Sequence, residues 1–229
     1  MPTLKKKYKI IEKTSFSPNS NVYRGLDTES QEPVAIKEIT FKPYLLDSEI
    51  HSLKKLNHPY IVRLLDYFQK DNLFYIITEW FEGSPINTFS FSTEEWIGIF
   101  IKVLEGIQYI HENGIIHRDI KPQNILASPA KSPKIIDFGL SIFQDDMSLN
   151  ESKVIGTLPY ISPEQTGYIK APIDVRSDIY SLGVLFYECL AGHNPFHAKI
   201  KSQIIHKHLS LVPPALSELL PHDKFIDQL

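Results

Sequence analysis

The stretch Ile115-Ile116-His117-Arg118-Asp119-Ile120-Lys121-Pro122-Gln123-Asn124-Ile125-Leu126 decides how the chain is read. Its polar centre lies between two apolar ends, which suits a loop held by core strands and pointing into a cleft. Asp119 can accept a proton from a hydroxyl, and Lys121 can neutralise phosphate oxygens. Asn124 can ligate a metal through its amide oxygen. One short motif is weak, so the other parts of such chemistry must appear in the right order and at the right distance.

At 229 residues the chain is long enough for one domain of two lobes, or two small domains, with a real core. The formal charge is −3 with Lys and Arg dispersed, which leaves no electrostatic footprint for nucleic acid. The single cysteine, Cys189, excludes an internal disulfide framework and fits a reducing cytoplasm. It stands beside Leu185, Phe186 and Leu190 with no basic neighbour, and so reads as structural. Met1 to Lys13 is basic without an apolar core of signal-peptide length, and no run approaches a membrane span. The nine histidines show no zinc spacing, and His206-Lys207-His208 reads as a solvated helix face. These features point to a soluble cytoplasmic protein.

Upstream, residues 8 to 40 read as strands: Tyr8 to Ile11, Val22 to Gly25, and the alternating, β-branched Pro33 to Ile39. Pro43 opens a helix with apolar residues at Leu46, Ile50, Leu53 and Leu56, stopped by Asn57-His58-Pro59. Strands at Ile61 to Phe68 and Leu73 to Thr78 flank the turn Lys70-Asp71-Asn72. Past Glu82-Gly83 the character becomes helical. Ser92 to Glu95 forms a capping box for a helix that ends at Asn113-Gly114. Ile135-Ile136 predicts a short strand, Gln144 to Lys153 a mobile surface loop, residues 178 to 191 an apolar helix, and Lys199 to Ser210 another.

Lys37 ends Val34-Ala35-Ile36-Lys37 on a strand, and Glu49 on the following helix is placed to pair with it. Asp137-Phe138-Gly139 follows Asn124 by thirteen residues, and Ser162-Pro163-Glu164 closes the segment it opens. The order Lys37, Glu49, Asp119, Asn124, Asp137, Glu164 resembles that of eukaryotic-type (Hanks-type) serine/threonine protein kinases. The resemblance covers about residues 8 to 212. Around Ser162 to Gly167 and Arg176 to Gly183 it is nearest to bacterial members, such as those heading multidomain kinase, ATPase and sensor histidine kinases.

The resemblance implies an α+β, bilobal fold. The N-lobe, an antiparallel sheet with one helix, would occupy residues 1–82, and a mostly helical C-lobe residues 83–229. It implies transfer of the ATP γ-phosphoryl group to Ser or Thr hydroxyls of a protein substrate. Asp119 would orient and deprotonate the hydroxyl, with Lys121 stabilising the moving charge. Lys37, held by Glu49, would position phosphates, while Asn124 and Asp137 hold magnesium. Val22, Ala35 and Leu126 resemble the adenine sandwich, Thr78 the gatekeeper, and Glu79-Trp80-Phe81 the hinge. Leu53, Leu64, His117 and Phe138 resemble the column linking the lobes, and Asp178 the aspartate that braces the catalytic loop. Lys121 and Thr157 match the serine/threonine-type choice. Glu151 or a phosphorylated Ser152 would neutralise Arg118.

Three departures stand out. Where the family places the glycines of its phosphate loop, this chain has Ser15, Ser17 and Ser20, whose Cβ atoms obstruct close backbone approach to phosphate. The alternative reading is therefore a pseudokinase-like scaffold that binds nucleotide weakly. Only twelve residues separate Lys37 from Glu49, so that helix lacks its first turns. The chain stops before the two final helices expected of the C-lobe. Without the arginine they carry, Glu164 is left unpaired, and self-association or further C-terminal domains are expected.

Overall fold

The computed structural model describes residues 3–17, 20–40, 43–144 and 154–220. The expected loop from Gln144 to Lys153, with Glu151 and Ser152, lies beyond Gln144 outside the described residues.

Strands β1 (Thr3–Leu4), β2 (Tyr8–Ser17), β3 (Ser20–Asp27) and β4 (Pro33–Thr40) precede helix α1 (Pro43–Lys55); β5 (Leu64–Lys70) and β6 (Leu73–Glu79) follow it. They form one antiparallel sheet in the order β1-β2-β3-β4-β6-β5. Its two faces follow from the alternation in β4. Val34 and Ile36 point outward into a cluster with Leu4, Tyr8, Tyr75 and Ile77, so Ala35 and Lys37 point the other way, toward α1 and the cleft. The β5–β6 turn has Asp71 and Asn72 at φ 50° and 61°, the paired positive values of a tight hairpin. β5 starts three residues later than the expected Ile61, because Val62 N–H is spent on the carbonyl of Ile135 (2.8 Å), tying the two lobes together.

The second lobe comprises β7 (Ser84–Pro85), α2 (Thr93–Glu112), β8 (Ile115–Ile116), β9 (Ile125–Ala127), β10 (Pro133–Ile135), β11 (Ile142–Phe143), α3 (Val175–Ala191), α4 (Lys201–Ser210) and α5 (Leu216–Leu219). The α2 capping box is complete: Ser92 Oγ accepts from Glu95 N–H (3.3 Å), and Glu95 accepts from Ser92 N–H (2.8 Å). Trp96, Ile99, Phe100, Val103, Ile107 and Ile110 give α2 its buried face. One apolar cluster runs from Leu46, Ile50 and Leu53 of α1 through Phe138 to Leu182 and Leu185 of α3, so the lobes share a core.

Three expectations need correction. Glu164 has a partner, the Ser177 hydroxyl, which donates to it, while Arg176 is engaged by Asp174 at 2.7 Å. The partner is thus a neutral donor at the start of α3. His208 is no solvated residue: it is buried, with Tyr180 Oη 2.9 Å from Nδ1 and Leu158 O 2.9 Å from Nε2, and burial lowers its pKa. α3 begins at Val175, three residues earlier than expected, because Asp174 caps it by accepting from Arg176 N–H. Cys189 packs against the core, and burial pushes its thiol pKa up, as a structural role requires. Of the C-terminal apolar residues, Leu216 and Leu220 pack on the core whereas Leu211 and Val212 stay exposed.

Candidate active site

The catalytic-loop carboxylate is fixed from three sides. Lys121 Nζ lies 2.7 Å from Asp119 Oδ2, and Asn124 Nδ2 donates to the same oxygen (3.0 Å) and to the Asp119 carbonyl (2.8 Å). Thr157 Oγ1 donates to Oδ1 at 2.7 Å and accepts from Lys121 Nζ at 3.0 Å. The loop backbone is held as tightly. Asp178, buried at the start of α3, accepts the N–H groups of His117 and Arg118, both at 2.8 Å, and contacts His111 Nε2 at 2.9 Å. Arg118 sits at φ 64°, an uncommon conformation for a long side chain. Gln165 Nε2 donates to its carbonyl (2.9 Å), and the Arg118 guanidinium donates through Nε to Leu140 O (2.7 Å). Gly156, at φ 117°, passes so close that a Cβ would lie 3.1 Å from that same carbonyl, so only glycine fits there.

Above the loop, Lys37 Nζ bridges Glu49 Oε1 (2.6 Å) and Asp137 Oδ1 (2.7 Å). Burial pulls the lysine pKa down, but the Asp137 and Glu49 carboxylates outweigh this and raise it, so Lys37 stays charged. Burial raises Glu49, which is almost fully enclosed, whereas Asp137, 39 % exposed on the cleft, is held below the usual carboxylate range despite desolvation by Lys37 and the Gly139 N–H. His117 is buried and its pKa lowered by that burial; its ring meets Phe138 at 5.1 Å, while Leu53 and Leu64 join the same cluster. Of the expected column, His117 meets Phe138, and Leu53, Leu64 and Phe138 belong to one apolar cluster.

The shortened link before α1 raises the question of what holds Glu49 in place. The answer is a hydroxyl latch that the sequence reading missed. Ser141 Oγ donates to Phe138 O (2.8 Å), so its contact with Ser52 Oγ (2.9 Å) must be donated by Ser52; Ser48 Oγ donates to Ser141 O (2.7 Å). His51 packs on Phe143 at 4.7 Å and Lys55 Nζ lies 4.6 Å from the same ring. Residues 48, 51, 52 and 55 form one face of α1 that grips the segment after Asp137-Phe138-Gly139. Ser52→Ala is expected to lower stability by about 1 kcal/mol and to cut kcat/KM for ATP roughly tenfold. Denaturant melts and initial rates check this, and unchanged kinetics would show that the latch is not needed to present Glu49.

The residues expected to face a nucleotide also converge. Val22 and Ile76 stand opposite Lys37 in the sheet register, and Ala35 stands opposite Thr78, so their side chains share the cleft face. Leu126 on β9 pairs with Pro85 on β7, and both follow the Glu79-Trp80-Phe81 connection. Glu79 is tied back through Lys134 Nζ (2.9 Å) and Arg63 N–H (3.1 Å). Ser15, Ser17 and Ser20 lie on the paired strands β2 and β3, past a register shift between Lys13 and Ser15, with Ser15 opposite Val22 and Ser17 opposite Ser20, and none has positive φ. Extended backbone explains why serine is tolerated: the conformations that demand glycine are not used at these three positions.

A curled antiparallel sheet over a helical lobe, with a lysine–glutamate pair above an aspartate–lysine–asparagine loop, is the bilobal kinase architecture. The protein kinase domain family matches the chain over residues 16–224, and the chain belongs to that family. It is 31 % identical over 230 residues to the serine/threonine-protein kinase PrkC of Bacillus subtilis, covering 94 % of this chain and 35 % of that protein. It is 30 % identical over 229 residues to the probable serine/threonine-protein kinase PknB of Lactococcus lactis, covering 94 % and 36 %. The chain thus spans about a third of the length of these curated relatives.

Proposed function

We propose that the chain is an ATP-dependent protein serine/threonine kinase domain. The observation that carries this reading is the hydroxyl of Thr157 donating to Asp119 Oδ1 at 2.7 Å with Lys121 touching both partners. It shows that a hydroxyl can be received there beside a cation. A substrate Ser or Thr hydroxyl in that place would be oriented by Asp119, which takes its proton, while Lys121 balances charge on the phosphoryl group. Lys37, kept extended by Glu49, would hold phosphate oxygens.

The donor set fits magnesium. Asn124 uses its Nδ2 in hydrogen bonds, so Oδ1 makes none among the described residues, and Asp137 presents its carboxylate to the cleft. Two hard oxygens from the protein, completed by phosphate and water, suit that ion, which when bound neutralises charge on the phosphates. Val22, Ala35, Leu126, Thr78, Glu79 and Phe81 would surround the adenine. Leu158 and Pro159 would receive the residue after the acceptor, whereas Ile161 is buried. Pro85 and Gln123 stand where acids would select arginine, so no strong arginine preference is expected. We assign the lobes to residues 1–82 and 83–229, and a cytoplasmic setting to the whole. No described helix is long and apolar enough to cross a membrane. Incubation with labelled ATP, magnesium and a generic protein acceptor, beside Asp119→Asn, tests the reading: transfer that persists in the variant, or none in either, overturns it.

The serine loop favours a second reading, a scaffold with weak nucleotide binding. Ser15→Gly with Ser17→Gly is expected to tighten ATP binding by about tenfold, or roughly 1.4 kcal/mol. Calorimetric titration measures it directly. Weaker binding in the glycine variant would make the serine hydroxyls ligands in their own right.

A further inference from the structure

Between Glu188 and Glu218 the chain has no acidic residue, yet it carries Lys199, Lys201, Lys207 and four histidines, within a protein whose net charge is −3. The fold turns this stretch into one wall of a groove. Two adjoining depressions, of about 510 and 860 Å³, run from Pro159 and Tyr160 past His197 and Lys207 to Lys199 and His206. His193, His197, Lys199 and His206 are exposed, and Lys207 is half-buried. Lys207 Nζ donates to His197 O at 2.7 Å, which fixes that ammonium in the groove wall. Among the described residues, none of the three lysines forms an ion pair. The one acid in the lining, Glu188, accepts from Tyr160 Oη (2.6 Å), Asn87 Nδ2 (2.8 Å) and Asn194 Nδ2 (3.3 Å) at the inner end.

The groove is continuous with the catalytic loop. Thr157 touches Asp119, and Leu158 to Tyr160 form the next turn of the same segment, whose last two residues line the groove. A peptide whose acceptor hydroxyl lies at Asp119 and which runs on over Leu158 and Pro159 therefore enters this basic wall. We propose that the groove selects protein substrates with acidic side chains following the acceptor. The inference rests on the proposed placement of that hydroxyl at Asp119. An acidic peptide fits better than nucleic acid, because the lining has no arginine and its one Phe, Tyr or Trp ring, Tyr160, is buried, so that only the smaller rings of His193, His197 and His206 are exposed.

The test uses peptides of one acceptor sequence, Ala-Ser-Leu followed by four Glu, four Gln or four Lys residues. The Glu peptide is expected to show a KM about tenfold below that of the Gln peptide, with the Lys peptide weaker still. The advantage should shrink as salt rises, since exposed charge pairs are screened. Lys199→Glu with Lys207→Glu should reverse the order while leaving kcat on the Gln peptide unchanged. Lys199→Gln with Lys207→Gln should erase it, and serves if the charge reversal unfolds the protein. Fluorescence anisotropy of the labelled Glu peptide, with magnesium and no ATP, reads docking without catalysis. Docking without transfer would sink the kinase reading and spare the groove. Equal KM values for the Glu and Gln peptides, a preference that survives both lysine variants, or equally tight binding of a single-stranded oligonucleotide of the same charge would each overturn the proposal.

Discussion

Asp137→Ala is expected to abolish phosphoryl transfer while the protein stays folded, and Lys37→Met to cut turnover by orders of magnitude. Asp137 lies on the cleft with its side chain 39 % exposed, so alanine there removes a candidate metal ligand without opening the core. Lys37 is different, because its loss strands a carboxylate. Glu49 is 6 % exposed and accepts from Lys37 at 2.6 Å. Breaking such a buried pair from one side costs about 3 kcal/mol. The pH dependence of that cost has a definite sign. Burial raises the Glu49 pKa in the folded state, and the variant lacks the cation that opposes this. Its stability should therefore be greatest at acid pH and be lost as pH rises through the raised Glu49 pKa. Labelled-ATP rates and urea melts at several pH values measure both effects. Undiminished transfer in either variant would remove these residues from the mechanism.

Asp178→Ala should weaken the fold and displace the catalytic loop together. Its carboxylate is 1 % exposed and accepts the N–H groups of His117 and Arg118, both at 2.8 Å. Alanine would leave two buried amides unpaired at about 1–3 kcal/mol each. It would also free Arg118 from φ 64°, where a left-handed residue stores roughly 1–2 kcal/mol. Relief of that strain offsets part of the loss but moves the neighbouring Asp119. The expected outcome is a destabilisation of about 3 kcal/mol together with at least a hundredfold fall in kcat. Urea unfolding and single-turnover rates check the two parts. A stability change below about 1 kcal/mol would show that water or a shifted loop replaces the carboxylate.

Whatever depends on near neighbours was legible in the order of residues. Alternation in Pro33 to Ile39 put Lys37 on the cleft face, the Ser92–Glu95 pair set the start of α2, and the spaced polar residues from Lys37 to Asp137 named the site. The boundaries that slipped, at β5 and α3, did so because a backbone bond to Ile135 and a cap at Asp174 outweighed local pattern. Pairings of residues with no local signature came from packing. Ser52 and Ser141 are 89 positions apart, and a serine looks the same in sequence whether it meets water or another buried hydroxyl. Glu164 found Ser177 for the same reason, and His208 turned inward because Tyr180 and Leu158 offered it partners. The basic groove, too, arises only when α4 and the loop before it pack beside Pro159 and Tyr160. Periodicity and capping are written into adjacent residues, whereas a hydrogen-bond partner or a field of charge exists only once packing has chosen which distant groups meet.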